Sequence, residues 1–190
     1  ALYGNFFGVP QYFIDIGIPG ATVSRFISST IPQAGVPVHL VFTFDGTNGA
    51  LYVNGLVESS GTIDVFERNP VAPFTIAKRS DGAAAWNGAV DEVAFYNSAL
   101  SAARVKQHTL AGMPLMVAIG KASDVVVDSK PAGTPHQGVN NGATWAAANG
   151  SRTGVMQFVG TNTTQITLAN NPDFQSTVGT ICFWMRSPGA

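Results

Sequence analysis

Two dipeptides constrain this chain more than any other feature. Asp45-Gly46 and Asn54-Gly55 each stand between runs that alternate apolar and polar residues. The run "VPVHLVFTFDG" (36–46) puts Val38, Leu40, Phe42 and Phe44 on one face and His39, Val41, Thr43 and Asp45 on the other. A period of two over such a length is the pattern of half-buried antiparallel strands. Asp-Gly and Asn-Gly tolerate the positive φ that tight hairpin turns need. Residues 38–44, 50–53 and 56–59 therefore read as consecutive strands of a meander. The stretches 11–18, 22–29, 73–79, 88–97, 155–161, 164–170 and 179–186 read as further strands. One short helix is expected near 100–111, capped by Ser98 or Ser101 and carrying Leu100, Val105 and Leu110. Gly112 closes it and Pro114 forbids its continuation. Residues 128–154, with Pro131, Pro135 and several glycines, read as loop-rich. The fold class is all-β and antiparallel.

With 190 residues the chain makes one large β domain or two small ones. Only 11% of residues are charged and the net charge is −1, so no field is expected that would draw in nucleic acid or anionic lipid. No apolar run is long enough to span a membrane; "MPLMVAIG" (113–120) reads as a strand or connector. Without an initial Met or a leader pattern, the chain reads as a piece of something longer. The single cysteine, Cys182, reads as a core residue inside "TICFWMR". His39, His108 and His136 have no metal-ligand spacing, and neither a nucleophile elbow nor a phosphate loop is present. "NGS" (149–151) and "NTT" (162–164) fit the N-glycosylation pattern.

The segments "VHLVFTFDGTNGALYVNGLVESSG", "PFTIAKR" and "WNGAVDEVAFYNSALSAARVKQH" resemble the second half of a LamG-like jelly-roll domain of the concanavalin A-like lectin/glucanase superfamily. Order and spacing match across 36–110. The segment 124–186, with "GVMQFVGTNTTQITLAN" and "TICFWMR", resembles the first half of the same domain. The family's opening strand reads Phe-Asp-Gly-Thr-Asn; here it is Phe158-Val159-Gly160-Thr161-Asn162, without the acid. The resemblance implies an antiparallel jelly-roll β-sandwich whose halves stand in permuted order. Residues 1–112 form the C-terminal half, 113–123 a connector and 124–190 the N-terminal half, together about one domain within one chain or across neighbouring chains. That order fits a tandem array, a circular permutant, or a subunit whose strands complete its neighbour. A half-sandwich alone would expose sheet edges and an apolar face, so the halves are expected to fold together.

The adjacent carboxylates Asp91 and Glu92 raise the question of chemistry. Neighbours on a strand point to opposite faces, whereas a glycosidase needs two carboxyls across one cleft. The Glu-x-Asp-x-x-Glu pattern of the superfamily's glucanases is missing, so no catalytic residue is expected. By resemblance, Asp91 ties loops together through backbone N–H groups; with Asp128 or the carbonyls of 159–162 it would make a weak structural calcium site. Trp86, Trp145 and Tyr52, with Tyr3, are the candidate aromatic platform for a sugar face. The resemblance implies a non-catalytic extracellular or cell-surface module that binds a glycan or an extracellular protein. The alternative is a structural repeat or filament subunit that self-associates by sharing strands.

Overall fold

The computed structural model describes residues 4–6, 9–17, 23–63, 74–77, 85–112, 138–149, 152–160, 164–168 and 178–186. In chain order the elements are β1 (Gly4–Phe6), β2 (Val9–Gln11), β3 (Phe13–Gly17), β4 (Val23–Ile27), β5 (Val38–Phe44), β6 (Asn48–Val53) and β7 (Leu56–Thr62). There follow β8 (Phe74–Ile76), β9 (Asn87–Tyr96), α1 (Ala102–Gly112), β10 (Gly138–Asn141), β11 (Thr144–Asn149), β12 (Arg152–Val159), β13 (Gln165–Leu168) and β14 (Gly179–Arg186).

The meander forms as its turns dictate. Asn54 and Gly55 take φ of 50° and 80°, the two left-handed positions of a two-residue hairpin between β6 and β7. At the β5–β6 turn the Asp45 carboxylate accepts the N–H groups of Thr47 (2.9 Å) and Asn48 (2.6 Å). These strands belong to a seven-stranded sheet in the order β11-β12-β9-β14-β5-β6-β7. A three-stranded sheet β10-β13-β8 and the pairs β3-β4 and β1-β2 complete the described strands. Every described strand pairing is antiparallel. β12 and β14, from the end of the chain, thus share one sheet with β5, β6, β7 and β9. β14 lies between β9 and β5, with Phe183 opposite Leu40 and Met185 opposite Val90.

One face of the large sheet meets the smaller sheets. Leu40, Val53, Phe158, Phe183 and Met185 pack with Ile166 of β13, while Phe42, Phe44 and Leu51 pack with Phe26 of β4. The opposite face is covered by α1, where Val41, Tyr52 and Cys182 surround Val105. This second cover explains a departure from the alternating pattern. β5 is buried at all seven positions rather than on one face only.

α1 begins as its sequence requires: the Ser101 hydroxyl accepts the N–H of Arg104 (3.3 Å), three residues on. Its buried stripe is Val105 and Thr109, which lie one above the other at a spacing of four. Leu110, expected on that stripe, is 58% exposed. The stretch 138–149, expected to be loop, contains two strands. Asn140 and Ala143 exchange side chain–backbone hydrogen bonds of 2.9 Å around Gly142. That corner carries the chain from β10 in the small sheet to β11 in the large one. Among the described residues no helix is long and apolar enough to cross a membrane.

Candidate functional site

The acidic pair sits on an irregular strand. β14 pairs Cys182 with Ala94 but Trp184 with Asp91, so β9 carries one extra residue and bulges there. Glu92 lies in the bulge at φ 51° and is exposed, while Asp91 is half-buried and opposite Trp184. Simple strand alternation is therefore broken at this point. Both residues take part in interactions within the chain. Asp128 lies outside the described residues. Among the described residues no three His, Cys, Asp or Glu side chains group to hold a metal ion. The calcium site the resemblance implies draws instead on Asp91 with Asp128 or backbone carbonyls, since calcium takes six to eight oxygens from carboxylates and carbonyls alike.

The aromatic candidates are separated. Trp86 packs against the core cluster between the sheets, and Tyr52 belongs to the cluster under α1. The large sheet stands between them, so these two do not form one platform. The Tyr52 ring is buried at 8% exposure, which denies its face to a sugar. Trp145 enters β11 opposite Met156; its side chain and Tyr3 lie outside the described residues.

Two of the histidines dock the helix. Thr109 Oγ1 donates to the carbonyl of Val105 (3.1 Å) and lies 2.7 Å from His39 Nδ1. The His39 ring lies 5.1 Å from that of Trp184. His108 Nε2 sits 3.4 Å from the Tyr96 hydroxyl. His136 lies outside the described residues.

Cys182, beneath the same helix, has its thiol pushed up from 9.0 to about 11, first by burial and then by the Glu92 charge. The folded pKa is raised, so the unfolded thiol ionises first. This contribution to stability is complete below pH 9.0 and is lost as pH rises through about 11. Urea titrations are expected to show a loss of roughly 2–3 kcal/mol over that window, since each tenfold change in an ionisation constant is worth about 1.4 kcal/mol. A Cys182→Ala chain should lack that component of the alkaline slope.

Among the described residues a depression lies beside α1. It has a volume of about 470 Å³ and lies on the helix-covered face of β5, β6 and β7. Strand register builds its floor. Thr43 pairs with Ala50 and Ala50 with Ser60, so one row crosses three strands with its smallest side chain in the middle. Asn48 pairs with Thr62 in the next row, beside Asp45. The segment Ala99–Ala102, leading into α1, forms the wall. That segment is held down where Thr180 Oγ1 accepts the N–H of Leu100 (2.9 Å) and donates to the carbonyl of Ser98 (3.0 Å). Asn48 and then Thr47, through their backbone N–H groups, hold the Asp45 carboxyl below its ordinary pKa, so it is ionised at neutral pH. Of these lining residues, the sequence marks only Tyr52 as a binding candidate, and for its ring. The available signal is the run of small and hydroxylated residues facing alternate positions in β5, β6 and β7.

Residues 5–106 match a laminin G family model described as the concanavalin A-like lectin/glucanases superfamily. No curated protein and no solved structure matches the chain. The matched segment contains β5 and β9 but not β14, the strand that lies between them.

Proposed function

The chain belongs to the concanavalin A-like lectin/glucanases superfamily, and from that premise we propose that it is a non-catalytic binding module that recognises carbohydrate outside the cell or at its surface. The observation that carries this reading is the open concavity on the β5–β7 face, lined mainly by hydroxyl, amide and small side chains with the Asp45 carboxylate among them. Such a lining suits a neutral polyhydroxyl ligand, because each sugar hydroxyl both donates and accepts. The low share of charged residues, 11%, agrees with a ligand that is not held by ion pairing. Affinity electrophoresis of the full chain through gels containing mannan, β-glucan or galactan tests the reading. Retardation by at least one of them, unchanged between low and high salt, is the expected result. Free migration through all of them removes carbohydrate as the ligand class.

A second reading, a structural subunit that shares strands with its neighbours, draws on β14. This central strand supplies the pairing that β5 and β9 both need, and a copy from another chain would satisfy the same partners. Size-exclusion chromatography over a range of concentrations separates the two. A single monomer peak throughout speaks for the binding module alone.

A further inference from the structure

We propose that Tyr52 and Thr43 bind the ligand through their hydroxyl groups at the floor of the β5–β7 groove, and that the groove selects neutral saccharides over acidic ones. This rests on the carbohydrate reading above and adds the contact atoms and the charge selectivity.

The inference starts from two sunken hydroxyls. Tyr52 is 8% exposed and Thr43 is 7% exposed, and both line the groove. Val41 pairs with Tyr52 and Thr43 with Ala50, so the two hydroxylated side chains stand on the same face of neighbouring strands. Polar groups sunk this far normally have a hydrogen-bond partner in the protein. His39 and Thr109, on the same sheet face, show that rule obeyed. Among the described residues neither the Tyr52 nor the Thr43 hydroxyl has such a partner. Both residues line the groove, which places their hydroxyls within reach of a ligand there. A ligand that displaces water there gains two bonds whose protein side is already positioned, with the Tyr52 ring locked by its packing against Val41, Val105 and Cys182.

The chemistry of the rim narrows the ligand. The Asp45 carboxylate is ionised and accepts only, so the ligand must offer donors to it. Tyr52 and Thr43 offer hydrogens as well as lone pairs, so the ligand must also accept. Sugar hydroxyls meet both demands. A sulfate or uronate would meet the Asp45 charge with no described cation among the lining residues to offset it. Ala50 and Leu100 add an apolar patch against which the C–H face of a pyranose can lie. The volume, about 470 Å³, falls in the roughly 300–1,000 Å³ range of ligand sites.

The combined variant Thr43→Val, Tyr52→Phe removes the two hydroxyl oxygens while keeping each side chain's shape. Its thermal midpoint and circular dichroism are compared with those of the parent chain, and affinity electrophoresis is run in mannan, β-glucan, galactan and heparin. The expected result is retardation of the parent by a neutral polysaccharide and not by heparin, and binding by the variant about tenfold or more weaker. Should that variant misfold, Ser60→Trp on exposed β7 fills the groove from its rim and is expected to abolish retardation. Equal retardation of folded variant and parent overturns the groove assignment while leaving the carbohydrate reading in place. Retardation by heparin alone overturns the selectivity. No retardation of the parent by any of the four overturns both.

Discussion

Phe183→Ala is expected to destabilise the fold by about 3–5 kcal/mol, the range for a buried phenylalanine cut to alanine. Phe183 is 7% exposed and lies on β14, between β9 and β5. Its ring belongs to the cluster of Leu40, Val90, Phe158 and Met185. That cluster joins β5 and β9 to β12 and β14. Truncation therefore opens a cavity where the early and late parts of the chain meet, and strands paired on both sides of β14 leave little freedom to collapse into it. Urea unfolding measures the loss. The midpoint should fall without a change in slope, because a single shared core unfolds as one unit. Phe95→Ala on β9 is the control: at 41% exposure it is expected to cost about 1 kcal/mol or less. A Phe183→Ala loss no larger than the control's would mean that β14 does not complete this core. Two separate unfolding transitions in the parent chain would mean the same.

How much of this is legible in the sequence varies with what sets each feature. The β5–β6–β7 meander is local: alternation fixes the strands and Asp45-Gly46 and Asn54-Gly55 fix the turns, so sequence and structure agree on the element type. The burial of both faces of β5 is not local, because it depends on Val105 and Thr109 of α1 reaching across the chain. β11, "TWAAAN", has three alanines and weak strand propensity, and pairing with β12 makes it a strand. The short β1 and β2 escape a reading by pattern for the related reason that three residues carry no periodicity. Strand alternation separates Asp91 from Glu92, but the bulge that distorts it exists only in the pairing of β9 with β14. The groove is the least legible feature. Ala50 and Ser60 are ordinary strand residues in the sequence, and they matter only once register sets them in a row with Thr43. Tyr52 reads as a stacking face in the sequence, whereas the structure buries the residue under α1.

Gly88→Ala is expected to be comparably damaging, at about 2–5 kcal/mol, from strain in a backbone region closed to most residues together with overpacking. Gly88 has φ of 151°, and an added Cβ would stand 2.3 Å from the carbonyl oxygen of Arg186 and 2.9 Å from the Trp86 ring. The first contact is the more serious, because Arg186 ends β14 opposite Ala89 and its oxygen moves only if the strand moves. Gly88 also pairs with Phe158 of β12, so β9 is gripped from both sides at this residue. Gly61→Ala provides the contrast: its nearest heavy atom would be Phe26 Cε1 at 3.8 Å, and a change within about 0.5 kcal/mol is expected. Thermal and urea denaturation of the two variants measure the difference, and a Gly88→Ala chain within about 1 kcal/mol of the parent refutes the packing role. The consequence reaches the acidic pair three residues on. If the start of β9 is forced away from β14, the register that sets Asp91 opposite Trp184 and pushes Glu92 outward shifts with it. The Asn-Gly that precedes Asp-Glu in this chain is then a packing requirement that places the carboxylates, a role that needs no ligand to explain it.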